Sequence, residues 1–376
     1  MQQRRRALAA AAATVGLFLL VQLGALALVA PFDAAGFQAT EDPSDPTNSA
    51  LYLGVILVAT AAMLGAIRLG ARWLLRGVVL FASGLMALYV FLVLLPPWLA
   101  LEIAGGVNVP AFAAAGGLVL ALYRYPEWYV IDAAGVVMGA GAAALFGISF
   151  GLLPAIALLA ALAVYDAVSV YGTEHMLALA DGVMELKLPV VLVVPLALSY
   201  SFLDGGAGDA SAEDEGAESG TAESTTAEGA DGENATARTD ERDTPATPDG
   251  GESDDERSAT ANESADAGDR PTVAERDALF VGLGDAVMPT VMVASAAAFA
   301  PAPSLGVSWL PALTLPALSA MVGTLAGLGV LLWLVLRGRA HAGLPLLNGG
   351  AIGGYLLGAL ASGIPLVRAL GLGPYL

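Results

Sequence analysis

The sequence predicts an all-α polytopic membrane protein of nine transmembrane helices, its N-terminus cytoplasmic and a long disordered acidic loop between helices six and seven. Three observations carry that prediction. Hydrophobic residues fill 57% of the 376 positions and charged residues 14%, where a soluble domain holds roughly 45 to 50% apolar residues. Nine separate apolar runs are long enough to be spanning helices, and the Lys and Arg residues between them fall on alternate loops. The acidity is concentrated: residues 204–277 hold 23 acidic and 5 basic residues, and the other 302 hold 12 and 11.

The first run, Ala7 to Ala30, follows Arg4-Arg5-Arg6. At about 24 residues it exceeds the roughly 7 to 15 of a signal-peptide core and reads as a retained anchor. Pro31 to Ser49 carries Asp33, Glu41, Asp42 and Asp45 with no basic residue, as an outside loop would. Further runs cover Leu51–Ile67, Gly77–Leu95, Val107–Tyr123, Trp128–Phe146, Leu152–Tyr171, Ala278–Ala300, Leu310–Leu336 and Leu344–Ala361. With the N-terminus inside, Arg68, Arg72, Arg76, Arg124, Arg337 and Arg339 all lie inside, and only Arg368 lies outside.

The run Leu188 to Leu203 is short and interrupted by Pro189 and Pro195. If it spanned, Arg337 and Arg339 would face out, so it is expected to be interfacial, re-entrant or extended. The β-branched stretch Val190 to Val194 suits the extended form. From Asp204 to about Arg270 there is almost no large apolar residue to build a core, which predicts disorder. The chain therefore divides into 1–172 with six spans, a juxtamembrane segment 173–203, an acidic loop 204–272 and three spans in 273–376. Acidity confined to water-exposed sequence fits a high-salt environment, where screening removes self-repulsion, and gives no support to nucleic-acid binding. Without cysteine there is no disulfide, thiolate metal site or cysteine nucleophile, and the two histidines, His175 and His341, leave metal chemistry few ligands.

Two carboxylates stand where spanning helices should carry none. Asp166 precedes the expected membrane exit at Glu174 by eight residues, and Asp285 follows the expected entry at Asp277 by eight. On helical rise both lie about 12 Å inside the boundary. An intramembrane Asp costs about 2.5 to 3.5 kcal/mol on insertion scales and is by default a functional site. Two such groups at one depth can hold a single proton between them, so that one activates water while the other protonates a scissile carbonyl. The competing readings are that each Asp caps a helix or pairs with a polar neighbour, or that the pair binds protons or cations in a carrier or channel. No repeat relates the two halves of the chain.

Tyr165-Asp166 and Gly282-Leu283-Gly284-Asp285, in the sixth and seventh spans with a long loop between, resemble the presenilin and signal peptide peptidase family of intramembrane aspartyl proteases. The resemblance implies a presenilin-like fold, hydrolysis of single-span membrane proteins and Asp166 and Asp285 as the catalytic pair. With no His-Glu-x-x-His and few metal ligands in the chain, no cofactor or metal is expected. The N-inside orientation matches the presenilin-like members. The family's Pro-Ala-Leu motif at the start of the ninth span is altered here to Ala342-Gly343-Leu344-Pro345. Literal copies, Pro311-Ala312-Leu313 and Pro316-Ala317-Leu318, begin the eighth span on the outer side. Substrate contacts are assigned to Tyr165, Gly282, Leu283, Gly284, Gly343, Leu344 and Pro345. The glycines let a backbone approach Asp285 closely, and Leu188 to Val194, Leu344-Pro345 or both offer strand edges to unwound substrate. The expected partners are transmembrane substrates and the bilayer of the cell membrane.

Gly147-Ile148-Ser149-Phe150-Gly151 fits a nucleophile elbow, yet Ser149 falls near the outer boundary and both histidines inside. Glu174, His175, Asp181 and Glu185 read as a solvated juxtamembrane stretch. Asp132 reads as interfacial, with Arg124 as its nearest candidate partner and a supporting role at the active site left open.

Overall fold

The computed structural model describes residues 2–40, 42–95, 102–103, 107–172, 191–195, 278–337 and 342–373. In chain order these form helices α1 (Gln2–Ala34), α2 (Thr47–Arg68) and α3 (Arg72–Leu94), then a small hairpin of β1 (Glu102–Ile103) and β2 (Val107–Asn108). Helices α4 (Val109–Arg124), α5 (Trp128–Ser149) and α6 (Leu152–Gly172) follow. A second antiparallel pair, β3 (Val191–Pro195) with β4 (Ala278–Gly282), leads into α7 (Leu283–Phe299), α8 (Leu315–Leu336), α9 (Gly343–Ala361) and the short α10 (Leu366–Ala369).

Seven of these helices, α1, α2, α3, α5, α6, α8 and α9, are long and apolar enough to cross a membrane. Helices α4 and α7, at 16 and 17 residues, are apolar but shorter. The nine runs read from the sequence thus become seven helices of crossing length and two shorter ones. The acidic loop 204–272 lies outside the described residues.

Helix α7 shortens because its predicted run does not start as a helix. Ala278 to Gly282 is a strand, paired with β3 in the register Val191 to Gly282, Val193 to Phe280 and Pro195 to Ala278. Phe280 and Val281 suit a pleated, half-buried surface, and Val191 to Val194 offer the same kind of partner. The depth of Asp285 changes accordingly. Five residues before the helix advance about 3.3 Å each rather than 1.5 Å, and Asp285 sits in the first turn of α7.

The core is built on α5 and α7. Both pack against α1, and α7 also meets α6, α8 and α9. Helix α7 is buried almost continuously from Ala286 to Ala296, and α5 buries a face of small residues that includes Gly135, Gly139, Ala143 and Gly147. Helices α8 and α9 run antiparallel with bare backbones in contact. A Cβ at Gly323 would meet the Gly350 carbonyl, and one at Gly354 would meet that of Ser319. In a bilayer, where lipid is as apolar as Leu, such small-residue seams are what hold helices together. Helices α2 and α3 turn Leu51, Val55, Val58, Trp73 and Phe81 outward, an apolar surface suited to lipid.

One end of the bundle is tied by polar contacts. Thr40 donates its hydroxyl to the Ser149 carbonyl at 2.6 Å, the Gly151 amide donates to Pro43 at 2.7 Å, and the Ser295 hydroxyl donates to Phe150 at 2.9 Å. In this loop the Thr47 amide donates to the Asp45 carboxylate at 2.8 Å, which holds that exposed carboxyl below its usual range. The opposite end carries the starts of α5, α7 and α9, the β3–β4 pair and the C-terminal half of α6.

Candidate active site

Asp166 lies two turns beyond Leu159 on α6, and α9 runs antiparallel beside that stretch. The Asn348 side-chain amide donates to the Leu159 carbonyl at 2.9 Å, and one turn nearer the α9 start the Leu344 amide donates to Asp166 Oδ2 at 3.0 Å. Gly343, the first residue of α9, immediately precedes that donor. The reason is local. The first four N–H groups of a helix have no partner inside it and carry its positive dipole end, so they favour a carboxylate. Pro345, third in α9, has no N–H to leave unsatisfied and suits a first turn.

Leu344 and Pro345 are therefore helical. The expectation that they offer a strand edge is corrected: the helix start binds Asp166 instead. The literal Pro-Ala-Leu copies are elsewhere. Pro316 and Ala317 lie in the first turn of α8, where the Ala317 amide is capped by Thr314, and Leu315 lies beside Gly358, far along α9 from Leu344.

Asp285 reaches the same place from α7, which packs against α6. It stands in the first turn of α7, and α7 also packs against α9, whose start holds the Asp166 carboxylate. Asp166 is 8% exposed and Asp285 half-buried. The Gly-Leu-Gly segment divides three tasks. A Cβ at Gly282 would stand 3.2 Å from Asp285 Oδ2, so the bare α-carbon leaves room for the carboxylate itself. Leu283 turns inward onto α5, where Gly139 and Gly135 leave space for its methyl groups. Gly284 is exposed, with nothing within 4 Å of the position its Cβ would take. Tyr165, next to Asp166 in sequence, is 46% exposed with Val164 and Val168.

Sequence reasoning missed the support behind this segment. Asp132 accepts a hydrogen bond from the Val193 amide of β3 at 2.8 Å, rather than pairing with Arg124 at the surface. The available signal was a polar residue sharing one α5 face with Gly135 and Gly139. Ser149 is fully buried: it accepts from the Ala39 amide and donates to the Leu145 carbonyl, so it caps a loop and presents no nucleophile. Glu174, His175, Asp181, Glu185 and His341 lie outside the described residues.

Acidic side chains carried on packed helices inside an apolar bundle of membrane-crossing length define a class, the polytopic membrane proteins with carboxyl groups within the bundle. The family model described as signal-peptide peptidase, presenilin aspartyl protease matches residues 15–364. Two solved structures of a presenilin family intramembrane aspartate protease, in C222 and P2 crystal forms, are similar over most of the chain. The first is 30% identical with TM-score 0.55, covering 93% of this chain and 99% of its own; the second is 31% identical with TM-score 0.55, covering 92% and 96%. No curated protein sequence matches. The chain belongs to the signal peptide peptidase and presenilin family, and it is an intramembrane aspartic endopeptidase.

Proposed function

We propose that this protein is a nine-span, presenilin-like protease, N-terminus and acidic loop cytoplasmic, that hydrolyses peptide bonds of single-span membrane proteins with Asp166 and Asp285. The observation that carries the reading is the placement of the two acidic residues on packed neighbours, Asp166 on α6 oriented by the start of α9 and Asp285 in the first turn of α7. With one proton shared, one member takes a proton from water as the oxygen attacks the scissile carbonyl, and the other gives its proton to the carbonyl oxygen. Reversal of these transfers protonates the leaving amine.

A helical substrate hides its peptide bonds in its own hydrogen bonds, so it must unwind locally. The edge of β4 supports that step, because adding an extended peptide there returns the lost main-chain hydrogen bonds. Gly284 borders open space in line with that edge, and Tyr165 lies on the exposed face of α6. Leu283, Gly282, Gly343, Leu344 and Pro345 act from behind, by placing the segment and the Asp166 carboxylate. The orientation is supported by cations at the dyad's end. Arg76 lies over the Tyr123 ring at 5.3 Å and Arg337 over Trp333 at 3.8 Å, as expected at a cytoplasmic interface.

The test is reconstitution of the purified chain with a labelled single-span peptide. Asp166→Ala and Asp285→Ala should each lower cleavage by at least about 10²-fold, the lower bound for losing a general acid or base. Cleavage that persists in either variant would sink the dyad, and aspartate-dependent ion flux without cleavage would mark a carrier.

A further inference from the structure

The β3–β4 pair has two edges, and the hydrogen bond from Val193 to Asp132 identifies which of them is closed. In an antiparallel pair, opposed residues alternate between those that exchange N–H and C=O groups and those that point both away from the partner strand. The Val193 amide points to α5, so Val193 and Phe280 form a pair of the second kind. By the same alternation Val191 with Gly282, and Pro195 with Ala278, are also of that kind. Pro195 fits, since it has no N–H to donate along that edge. The inner edge of the hairpin thus faces α5, and the outward groups on the other side belong to Ala278, Phe280 and Gly282.

Burial agrees with this assignment. Leu192, Val193 and Val194 are buried, and so is Ala278 where β4 begins, whereas Leu279 to Gly282 are half-buried. Helix α5 receives β3 over a fitted surface. Gly135 makes room for Leu192, Gly139 makes room for Leu283, and Ile131 and Ala134 cluster with Val193 and Ala278. On that surface Asp132 is the group that satisfies an edge amide in a buried place, where an apolar residue would leave the N–H without a partner.

We infer that Asp132 is a positioning residue of the protease: by clamping the inner edge of β3 to α5 it sets the register of β4, and through Gly282-Leu283-Gly284 the placement of Asp285, and leaves β4 as the edge offered to substrate. This rests on the protease reading. Because β4 runs directly into the first turn of α7, a hairpin that slides on α5 carries Asp285 and the substrate edge with it. Asp132 itself touches neither substrate nor the reacting atoms.

The experiment maps the product ends of the labelled single-span peptide by mass spectrometry, with kcat and KM for each full-length variant. Asp132→Ala should lower kcat by about 10-fold or more and spread cleavage over neighbouring peptide bonds. Asp132→Asn keeps an oxygen that accepts the Val193 amide and should restore the single position. Clean cleavage at the original bond by Asp132→Ala, or the same spread in Asp132→Asn, overturns the inference. Should Asp132→Ala not fold, hydrogen exchange of the wild-type Val193 amide decides: slow exchange supports the clamp, and exchange at the rate of an open edge overturns it. That measurement needs no cleavage, whereas activity surviving in Asp166→Ala or Asp285→Ala would defeat the protease reading itself.

Discussion

Leu344 joins the start of α9 to the Asp166 carboxylate through one backbone N–H at 3.0 Å. A hydrogen bond to a charged group contributes about 1.5 to 3 kcal/mol, so its loss should slow catalysis about 10- to 100-fold. Leu344→Pro removes the donor while a first-turn proline remains compatible with the helix. The expected result is a lower kcat with unchanged far-ultraviolet circular dichroism. Ser149 provides the contrast. Ser149→Ala should keep wild-type cleavage and lower stability by about 1 kcal/mol in a detergent melt, because only the Ala39 and Leu145 bonds are lost. Both aspartates were legible in the sequence because a charge in an apolar run is costly. The Leu344 donor was legible only as a neighbour, since a backbone amide carries no residue-type signal.

At the scale of elements, the hairpin and the α8–α9 seam make separate demands. On β4, alternation places the Phe280 N–H on the outward side and the Leu279 N–H toward β3. Phe280→Pro should therefore fold yet bind substrate poorly, seen as a fall in kcat/KM carried by KM, whereas Leu279→Pro should destabilise the hairpin. In the seam, Gly350→Val would drive a side chain into the Gly323 backbone and cost about 1 to 3 kcal/mol or more, while Gly349→Ala, with open space around it, should be neutral. Thermal unfolding of the two variants separates these cases. The β-branched residues of Val191 to Pro195 predict a strand, whereas Ala278 to Gly282, opening a long apolar run, predicts the start of a helix. Its composition suits either state, and the choice falls to β3, almost ninety residues upstream.

For the whole molecule, topology follows from where charge sits between the apolar runs. The chain has no cysteine, so single cysteines introduced at Gln3 and Ser44 report sidedness without background. The expected outcome is labelling of position 3 from the cytoplasmic side only and of position 44 from the opposite side only. Equal access from one side would refute the proposed orientation. A shared-proton dyad further predicts a bell-shaped dependence of kcat on pH, with activity lost when both carboxyls are ionised and again when both are protonated.

The sequence by itself determined the membrane character, the apolar runs, the two aspartates and their order in the chain, because each depends on composition or on the cost of charge in lipid. Only the tertiary structure decided what surrounds them. Helix α9 gives an amide to Asp166, Asp132 on α5 holds β3, and the segment before Asp285 becomes a strand. Those outcomes turn on which backbone groups find partners across distant parts of the chain. Local spacing carries no record of such pairings, because every residue except proline brings the same N–H and C=O.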